Sequence, residues 1–237
     1  MFTRQQTRQQ PPQMALSIVM PVLNEAAGVV AQLTALQGLR AAGVELIVVD
    51  GGSHDGTAAL CAGLADQVLA SVRGRAQQMN AGVAVSSGAV LLFLHADTRL
   101  PNGAELLIQA ALESGQPSWG RFDVTIAGRS RWLPVVAWCM NLRSRCTGIV
   151  TGDQALFVKR ETFHAAGGFA AWPLMEDIAL SKRLRKRSRP AALRAKVITS
   201  GRRWDEHGAW RTIVLMWRLR LLFWLGVPAE RLARNYK

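Results

Sequence analysis

The sequence predicts an α/β protein with a Rossmann-like, doubly wound and mostly parallel sheet, followed by a separate carboxy-terminal part. Three apolar runs, at 16–22, 45–50 and 90–94, have the length and composition of strands that are buried on both faces. A stretch with apolar residues at helical spacing joins the first two runs, and such a strand–helix–strand unit has parallel strands with a right-handed crossover. The start of the chain is therefore predicted to form the centre of a sheet.

The same patterns predict an alternation of helices and strands along the chain. In the first half, the predicted elements are a strand at Leu16–Val22, a helix at Ala26–Ala42, a strand at Glu45–Asp50, a helix at Thr57–Ala65, a strand at Val68–Ser71, a helix from Gly74 to Ser87 and the strand that begins at Val90. In the second half they are a helix at Gly103–Ser114, strands at Trp119–Ile126 and Ala155–Lys159, and an amphipathic helix that Glu176 and Asp177 open within Trp172–Arg189.

The chain has 237 residues, of which 49% are hydrophobic, and this is enough for one large domain with a full core. Residues 1–14 are rich in Gln, Thr and Arg and contain no apolar segment, so we expect a disordered leader and not a signal peptide. Residues 15–209 form the predicted domain, with a division near residue 100, and residues 210–237 are predicted to form amphipathic helices.

The formal net charge of +13 requires an acidic partner, which could be nucleic acid, anionic lipid or a phosphate-bearing small substrate. The basic residues are not interleaved with aromatic residues as in RNA-binding domains, and there is no helix-turn-helix spacing, so we expect no nucleic-acid partner. The three cysteines are odd in number and form no CxxC pair, which argues against a zinc site or a disulfide framework and favours the reducing cytosol.

Two strands of the predicted sheet end near a carboxylate. Ligands of open α/β sheets bind at the carboxyl ends of strands, so Asp50 could accept hydrogen bonds from a base or a ribose, and His95 and Asp97 could bind a metal ion. Alternatively, Asp50 begins an Asx turn before two glycines, and Asp97 caps the turn that follows it. The junction PVLNE after the first strand is neither G-x-G-x-x-G nor a P-loop, which argues against a dehydrogenase or a P-loop NTPase.

A glycine and an arginine enter the helix that precedes Val90. Arg75, with Asn80 one and a half turns further on, suits a site that contacts a nucleotide edge or a phosphate, because helix amino termini and arginine side chains both favour anions. The alternative is an ordinary surface arginine.

Four motifs in the first half, in this order and at these distances, resemble the nucleotide-sugar-binding half of the family 2 glycosyltransferases, which have the GT-A fold: PVLNE, VVDGGSHDGT, GRAQQMNAG and LFLHADT. The resemblance implies a donor half at 15–100, an acceptor half at 101–209, and transfer of a sugar from a nucleoside-diphosphate sugar to a hydroxyl of a small or lipid-linked acceptor. It also implies a set of donor-binding residues, namely Pro21, Asn24, Glu25, Asp50, Arg75, Asn80, His95, Arg202 and Arg203.

In that family, the equivalent of Asp50 holds the nucleobase, and a D-x-D motif at the end of a strand places a divalent cation, Mn²⁺ or Mg²⁺, against the diphosphate. This chain has His95, Ala96 and Asp97 at the motif, so the resemblance gives the metal role to Asp97. The family's frequent D-D-G-S is D-G-G-S here, which removes one ribose contact at Gly51.

The second half would carry the acceptor and the base. The resemblance places the turn of Gly152, Asp153 and Gln154 beneath the sugar, although Asp153 could equally be a simple turn residue. The family has a Glu-Asp pair at the position of Glu176 and Asp177, which implies that Asp177 is the general base of an inverting transfer and that Glu176 binds the acceptor or substitutes for the base. The helix dipole alone also favours acidic residues in a first turn.

The segment from Gly201 to Gly208 contains an R-R-W motif similar to that of processive relatives. A nucleoside-diphosphate leaving group needs positive charge near its phosphates, so Arg202 and Arg203 are candidate diphosphate clamps, and Trp204 is a candidate acceptor contact. Many GT-A enzymes complete the metal shell with a carboxy-terminal histidine, which implies this role for His207. A lone histidine can also be structural.

The tail, Trp210–Leu225, is apolar but contains Arg211, Arg218 and Arg220. A transmembrane helix needs about 20 mostly apolar residues, and arginines near its centre are costly, so we do not predict a membrane span. Two interpretations stay open: the tail lies on the anionic inner face of the cell membrane through its tryptophans, or it packs over the sheet as a final core helix.

The motifs LHADT, GRFD, TGDQALF, PLMEDI and GRRW look closer to a bacterial subgroup that is named for arsenosugar biosynthesis. Two other functions compete with sugar transfer. A sugar-phosphate nucleotidyltransferase would need a G-x-G-x-R loop after the first strand, which this chain does not have. A catalytically inactive basic protein of the membrane surface would not be stabilised by UDP or GDP with a divalent cation.

Overall fold

The computed structural model describes residues 15–113, 115 and 117–234, so the predicted leader at 1–14 lies outside the described residues. Within them, the strands are β1 (Leu16–Val22), β2 (Glu45–Asp50), β3 (Gln67–Ala70), β4 (Val90–Phe93), β5 (Thr98–Arg99), β6 (Trp119–Ala127), β7 (Phe157–Lys159) and β8 (Ala191–Ser200). The helices are α1 (Ala26–Ala35), α2 (Gln37–Ala41), α3 (Thr57–Cys61), α4 (Arg75–Val85), α5 (Ala104–Glu113), α6 (Leu133–Thr147), α7 (Arg160–Ala165), α8 (Glu176–Arg185), α9 (Arg202–His207), α10 (Ala209–Trp224) and α11 (Ala229–Arg234).

These strands lie in one sheet with the order β3-β2-β1-β4-β7-β6-β8-β5. β1 pairs in parallel with β2 and β4, and β2 pairs in parallel with β3, which confirms the predicted Rossmann-like half. β6 and β8 are also parallel, whereas β7 runs antiparallel to β4 and β6, and β5 runs antiparallel to β8. The sheet is therefore mixed but mostly parallel, and β7 joins its two halves.

Alternate residues of the central strands enter two different hydrophobic layers. Ile18 packs in the same cluster as Leu33 of α1, whereas its neighbour Val19 packs in the cluster that contains Met79 and Val83 of α4. Helices thus cover both faces of the sheet, which explains why β1, β2 and β4 are continuously apolar in sequence.

The packing of α4 on the sheet depends on a glycine. A Cβ atom at Gly82 would lie 2.4 Å from Cγ1 of Val19 and 3.0 Å from Cγ2 of Val49, so only a residue without a side chain allows this close approach. The approach fixes the position of the start of α4, which carries Arg75, relative to the ends of β1 and β2.

Three predicted elements differ from those observed. The helix predicted at 26–42 is divided into α1 and α2, and the Gln37 side chain donates a 2.8 Å hydrogen bond to the Leu33 carbonyl, which a continuous helix would use for its backbone. The helix predicted at 57–65 ends at Cys61, because Ala62 adopts an extended backbone (ψ 132°). The strand predicted for the five apolar residues from Val90 ends one residue early, at Phe93, and a turn separates it from β5.

The carboxy-terminal helices form a third, smaller cluster. Leu180 and Leu184 of α8 are fully buried, as predicted, while Ile178 of α8 packs with Leu219 of α10 and Leu232 of α11. The tail is therefore a helix that packs against α8 through one face. Within the part of the chain that the structure describes, no helix is both long and apolar enough to cross a membrane.

Candidate active site

The loops that follow β1 and β2 are joined by hydrogen bonds at the carboxyl edge of the sheet. The backbone N–H of Asn24 donates to Oγ of Ser53 at 2.9 Å, the N–H of Glu25 donates to Oγ1 of Thr57 at 2.9 Å, and the N–H of His54 donates to Oδ1 of Asn24 at 3.0 Å. Asn24 adopts a left-handed conformation with φ 53°, which asparagine tolerates better than most residues. The motif PVLNE thus forms a fixed wall of the site.

Asp50 lies at the end of β2 and is buried. Its Oδ2 accepts hydrogen bonds from the N–H groups of Gly52 and Ser53, each at 3.0 Å, and its Oδ1 accepts one from the Ser53 hydroxyl. This is the Asx-turn geometry that the two glycines suggested. Oδ1 accepts only one hydrogen bond and keeps a second lone pair, and contact with a nucleobase stays a prediction.

Three charged residues of the site are Glu25, which follows β1, Asp97, which follows β4, and Arg202, which begins α9. Nη2 of Arg202 lies 3.5 Å from Oε1 of Glu25. Burial raises the pKa of Glu25, and the charge of Asp97 adds to this, whereas Arg202 and Arg75 oppose it. Glu25, Asp97 and Arg202, which are far apart in sequence, are therefore close in space, as the resemblance implied.

The turn at 152–154 packs directly against His95. A Cβ atom at Gly152 would lie 2.3 Å from Cε1 of His95, so the imidazole occupies the space that any side chain would need. Nδ1 of His95 lies 3.5 Å from Oδ1 of Asp153. Desolvation favours a higher pKa for Asp153, but the hydrogen bond and charge of His95 outweigh it and hold the pKa below its ordinary value.

The Glu-Asp pair opens α8 beside the same turn. The N–H of Gly152 donates to Oδ2 of Asp177 at 2.9 Å, and the N–H of Ile178 donates to Oδ1 at 2.7 Å, so both oxygens of Asp177 are oriented. Glu176 is buried, and burial together with the charge of Asp177 raises its pKa to about 7. Glu176 is therefore partly protonated near neutral pH.

An apolar pocket lies next to these carboxyl groups. Phe93, Phe169 and Met79 line it together with His95 and Asp177. With a volume of about 10 Å³, this cavity has room for about one water molecule.

Arg75 connects the two groups of charged residues. Its charge lowers the pKa of Glu25 on the side of Asp97, and it also lowers the pKa of Asp153 and Glu176 on the side of Asp177. This exposed arginine is therefore within electrostatic range of all three carboxyl groups. The structure thus brings the two predicted groups together at one edge of the sheet.

Four residues that were predicted to contact a ligand make contacts within the protein. The Asn80 amide donates to the carbonyl of Phe169 at 2.9 Å and accepts from its N–H at 3.0 Å. Gln154 is fully buried in a capping box with Thr151. Trp204 packs against the main core, and Pro21 is buried within β1. Ligand contacts by these side chains stay predictions, while their structural roles shape the walls of the site.

The two remaining predicted residues lie on α9. Arg203 follows Arg202 and is half-buried. The side chain of His207 lies outside the described residues, so its predicted metal role stays a prediction. The described residues contain no group of three or more His, Cys, Asp or Glu side chains that could hold a metal ion.

Two arginines that the sequence did not assign to the site also act on it. Arg143 of α6 and Arg220 of α10 both act electrostatically on Asp153 and Asp177, and burial together with the charge of Arg220 lowers the pKa of Arg143 to about 10. Nε and Nη2 of Arg143 are buried and have no hydrogen-bond partner among the residues that the structure describes. The signal in the sequence was an arginine within each of two largely apolar segments, which we interpreted for the tail only as an obstacle to membrane insertion.

The sequence matches the family model described as "Glycosyl transferase family 2" over residues 17–166, which is more than half of the chain. A search of curated protein sequences found no significant match.

Solved structures with similar folds include several glycosyltransferases. Residues 1–349 of S. aureus TarS in complex with UDP give a TM-score of 0.63 at 15% identity, covering 79% of this chain and 60% of that one. The mannosyltransferase PcManGT from Pyrobaculum calidifontis with GDP-Man and Mn²⁺ gives 0.58 at 21% identity, covering 77% and 56%. Glucosyl-3-phosphoglycerate synthase from Mycobacterium tuberculosis, with Mn²⁺, UDP and glucosyl-3-phosphoglycerate, gives 0.60 at 22% identity, covering 91% and 81%.

These likenesses confirm the GT-A fold that the resemblance implied. The chain spans 60% of the length of the TarS structure and 56% of that of PcManGT.

Proposed function

Because the chain belongs to the family Glycosyl transferase family 2, and is thus a glycosyltransferase, we propose that it transfers a sugar from a nucleoside-diphosphate sugar to an acceptor hydroxyl with inversion at the anomeric carbon. The observation that carries this proposal is Asp177, whose Oδ2 is held 2.9 Å from the N–H of Gly152 beside an apolar pocket. Neighbouring structures with UDP or GDP-Man support a nucleoside-diphosphate donor.

The donor would bind across the carboxyl ends of β1, β2 and β4. Asp50 would face the base, and Arg75 and Arg202 would lie near the diphosphate, where both are exposed to solvent and could reach an anion. A diphosphate gains charge as it leaves, so two arginines there would stabilise the transition state more than the ground state.

Asp177 would act as the general base. Its carboxylate would accept the proton of the acceptor hydroxyl while the hydroxyl oxygen attacks the anomeric carbon, and the bond to the diphosphate oxygen would break with its electron pair. Attack and departure on opposite faces of the sugar give inversion. Glu176, with a pKa of about 7, would be mostly ionised above neutral pH.

The residues present fit a divalent cation. The raised pKa of Glu25, caused by burial and by Asp97, indicates two carboxylates that share a site. One or two carboxylates plus substrate phosphates are the usual ligands of Mg²⁺ in proteins, so Asp97 with Glu25 would hold the ion once the donor is present. The cation would neutralise charge on the leaving diphosphate.

The acceptor side would be the region of Gly152, Asp153 and Glu176. Arg143 and Arg220 act on this side, and buried donors without a partner in Arg143 favour an acceptor that carries an anionic group. The glucosyl-3-phosphoglycerate in the synthase complex carries such a group. The resemblance to the arsenosugar subgroup makes an arsenic-bearing acceptor one candidate, which mass spectrometry of transfer products would test.

The test is a transfer and donor-hydrolysis assay with UDP- and GDP-sugars and Mn²⁺, in which the anomeric configuration of the product is determined by NMR. We expect inversion, and a loss of about 10²–10⁴-fold in kcat for Asp177→Asn with nucleotide binding preserved. The matched control is Glu113→Gln, an exposed carboxylate on α5. Retention of configuration, or wild-type activity of Asp177→Asn, would contradict the proposal.

A further inference from the structure

The exposed side of α6 and α10 carries an unusual concentration of aromatic residues. Five of the eight tryptophans of the chain lie here, and with a leucine they are each 38–74% exposed. We define this surface, called the tryptophan face, by Trp132, Trp138, Trp210, Trp217, Leu221 and Trp224. On α10 these residues follow one another at intervals of seven, four and three, so they lie on the same side of the helix.

The two helices contribute to one continuous surface. The rings of Trp132 and Trp210, near the starts of α6 and α10, lie 5.4 Å apart. Eleven and ten residues further on, Arg143 and Arg220 are close enough for one charge to lower the pKa of the other. The starts of the two helices are therefore adjacent, and Trp132 and Trp210 are neighbours on the surface.

The orientation of the face is fixed by the packing of the opposite side of α10. Thr212 and Leu219 are buried, and Leu219 packs with Met175 and Ile178 around α8. The core of the protein is therefore already formed without the tryptophan face. Burial of these side chains would require a partner outside the described chain.

The charge around the face is positive. Arg211 and Arg218 follow Trp210 and Trp217 by one position and border the face, and the guanidinium of Arg131 lies 5.9 Å from the ring centroid of Trp132. Neither α6 nor α10 contains an acidic residue. A second copy of this chain would bring the same arginines together, whereas an anionic surface would complement them.

From these observations, we propose that the tryptophan face docks on an anionic lipid bilayer and that the protein lies on the bilayer without crossing it. Tryptophan rings prefer the interface between acyl chains and headgroups, and arginines beside them would contact lipid phosphates. Because Arg143 and Arg220 lie between the two helices and act on Asp177, docking would hold the acceptor side of the site close to the membrane.

The test is co-sedimentation of the full chain with phosphatidylcholine vesicles that do or do not contain phosphatidylglycerol, with tryptophan fluorescence as a second readout. We expect binding to the anionic vesicles, weakened by salt, with a blue shift of the emission. The double variant Trp217→Ser/Trp224→Ser should weaken binding by about tenfold or more without changing the thermal unfolding temperature, since both side chains are exposed.

Two further double variants distinguish binding through the tryptophan face from binding through other exposed apolar residues or through charge. Val72→Ser/Leu106→Ser removes exposed apolar side chains elsewhere and should bind as wild type does. Arg211→Gln/Arg218→Gln should weaken binding only to the anionic vesicles. The proposal is overturned if the wild type does not bind anionic vesicles, if the tryptophan variant binds equally well, or if sedimentation velocity without lipid shows a dimer that the tryptophan variant abolishes. Since vesicle binding needs no sugar transfer, this test and that of the proposed activity can fail independently.

Discussion

At the scale of single residues, the site contains two adjacent carboxyl groups whose surroundings differ. Glu176 and Asp177 are adjacent carboxyl groups, yet one is buried with a raised pKa and the other accepts hydrogen bonds from the N–H groups of Gly152 and Ile178. The sequence identifies such a pair, but the burial that raises the pKa of Glu176 depends on residues far away in the chain.

Replacement of Glu176 should change how the free energy of unfolding depends on pH. The pKa of Glu176 is about 7 in the folded protein, whereas its ordinary value is 4.5. Between these two pH values the carboxyl group ionises first in the unfolded chain, so the free energy of unfolding falls as pH rises. Glu176→Gln removes this loss, so the variant should gain roughly 1–3 kcal/mol over the wild type between pH 4.5 and pH 7. Thermal unfolding at several pH values measures it, with Glu113→Gln as the control. An offset from wild type that does not change with pH would contradict the raised pKa.

Gly152→Ala should damage both the fold and the reaction. The new Cβ would overlap His95, so the turn that holds Asp177 must move, and we expect a loss of roughly 1–3 kcal/mol in stability together with reduced transfer. Chemical denaturation and the transfer assay measure the two effects. Gly28→Ala, on an exposed helix position with no atom near the new Cβ, should be neutral or slightly stabilising.

At the scale of elements, the sequence predicts the strands better than the helices. The bounds of β1 and β2 agree with the prediction to the residue, because a strand buried on both faces is a continuous apolar run with polar residues at its ends. The break between α1 and α2 was not predictable in this way. It accompanies one Gln37 side chain that bonds to the carbonyls of Leu33 and Leu64, and the second of these contacts depends on the fold.

The contact of α4 with the sheet provides a test at this scale. Gly82→Ala places a Cβ among the side chains of Val19 and Val49, so α4 must shift, and stability should fall by roughly 1–3 kcal/mol. Gly38→Ala in α2, where the Cβ would meet no atom, is the matched control, and urea denaturation compares the two. Equal stability of both variants would show that α4 is not closely packed.

At the scale of the whole molecule, the fold brings residues that are distant in sequence to one site. The sequence predicted that the ends of β1, β2 and β4 meet, because parallel strands place their carboxyl ends at one edge. It did not predict Arg143 and Arg220, because their approach depends on where the fold places α6 and α10. The family resemblance supplied the roles of the predicted residues, whereas the structure supplies their proximity, with Arg75 in electrostatic range of both groups.

The most direct test of this account is calorimetric titration of the protein with UDP and with GDP, each with and without Mn²⁺. We predict cation-dependent binding of at least one nucleotide, weakened by about tenfold or more in Asp97→Asn and unchanged in Asp177→Asn, because the first residue lies on the donor side and the second on the acceptor side. Absence of nucleotide binding, or equal binding by the wild type and Asp97→Asn, would contradict a single diphosphate-binding cleft at this edge of the sheet.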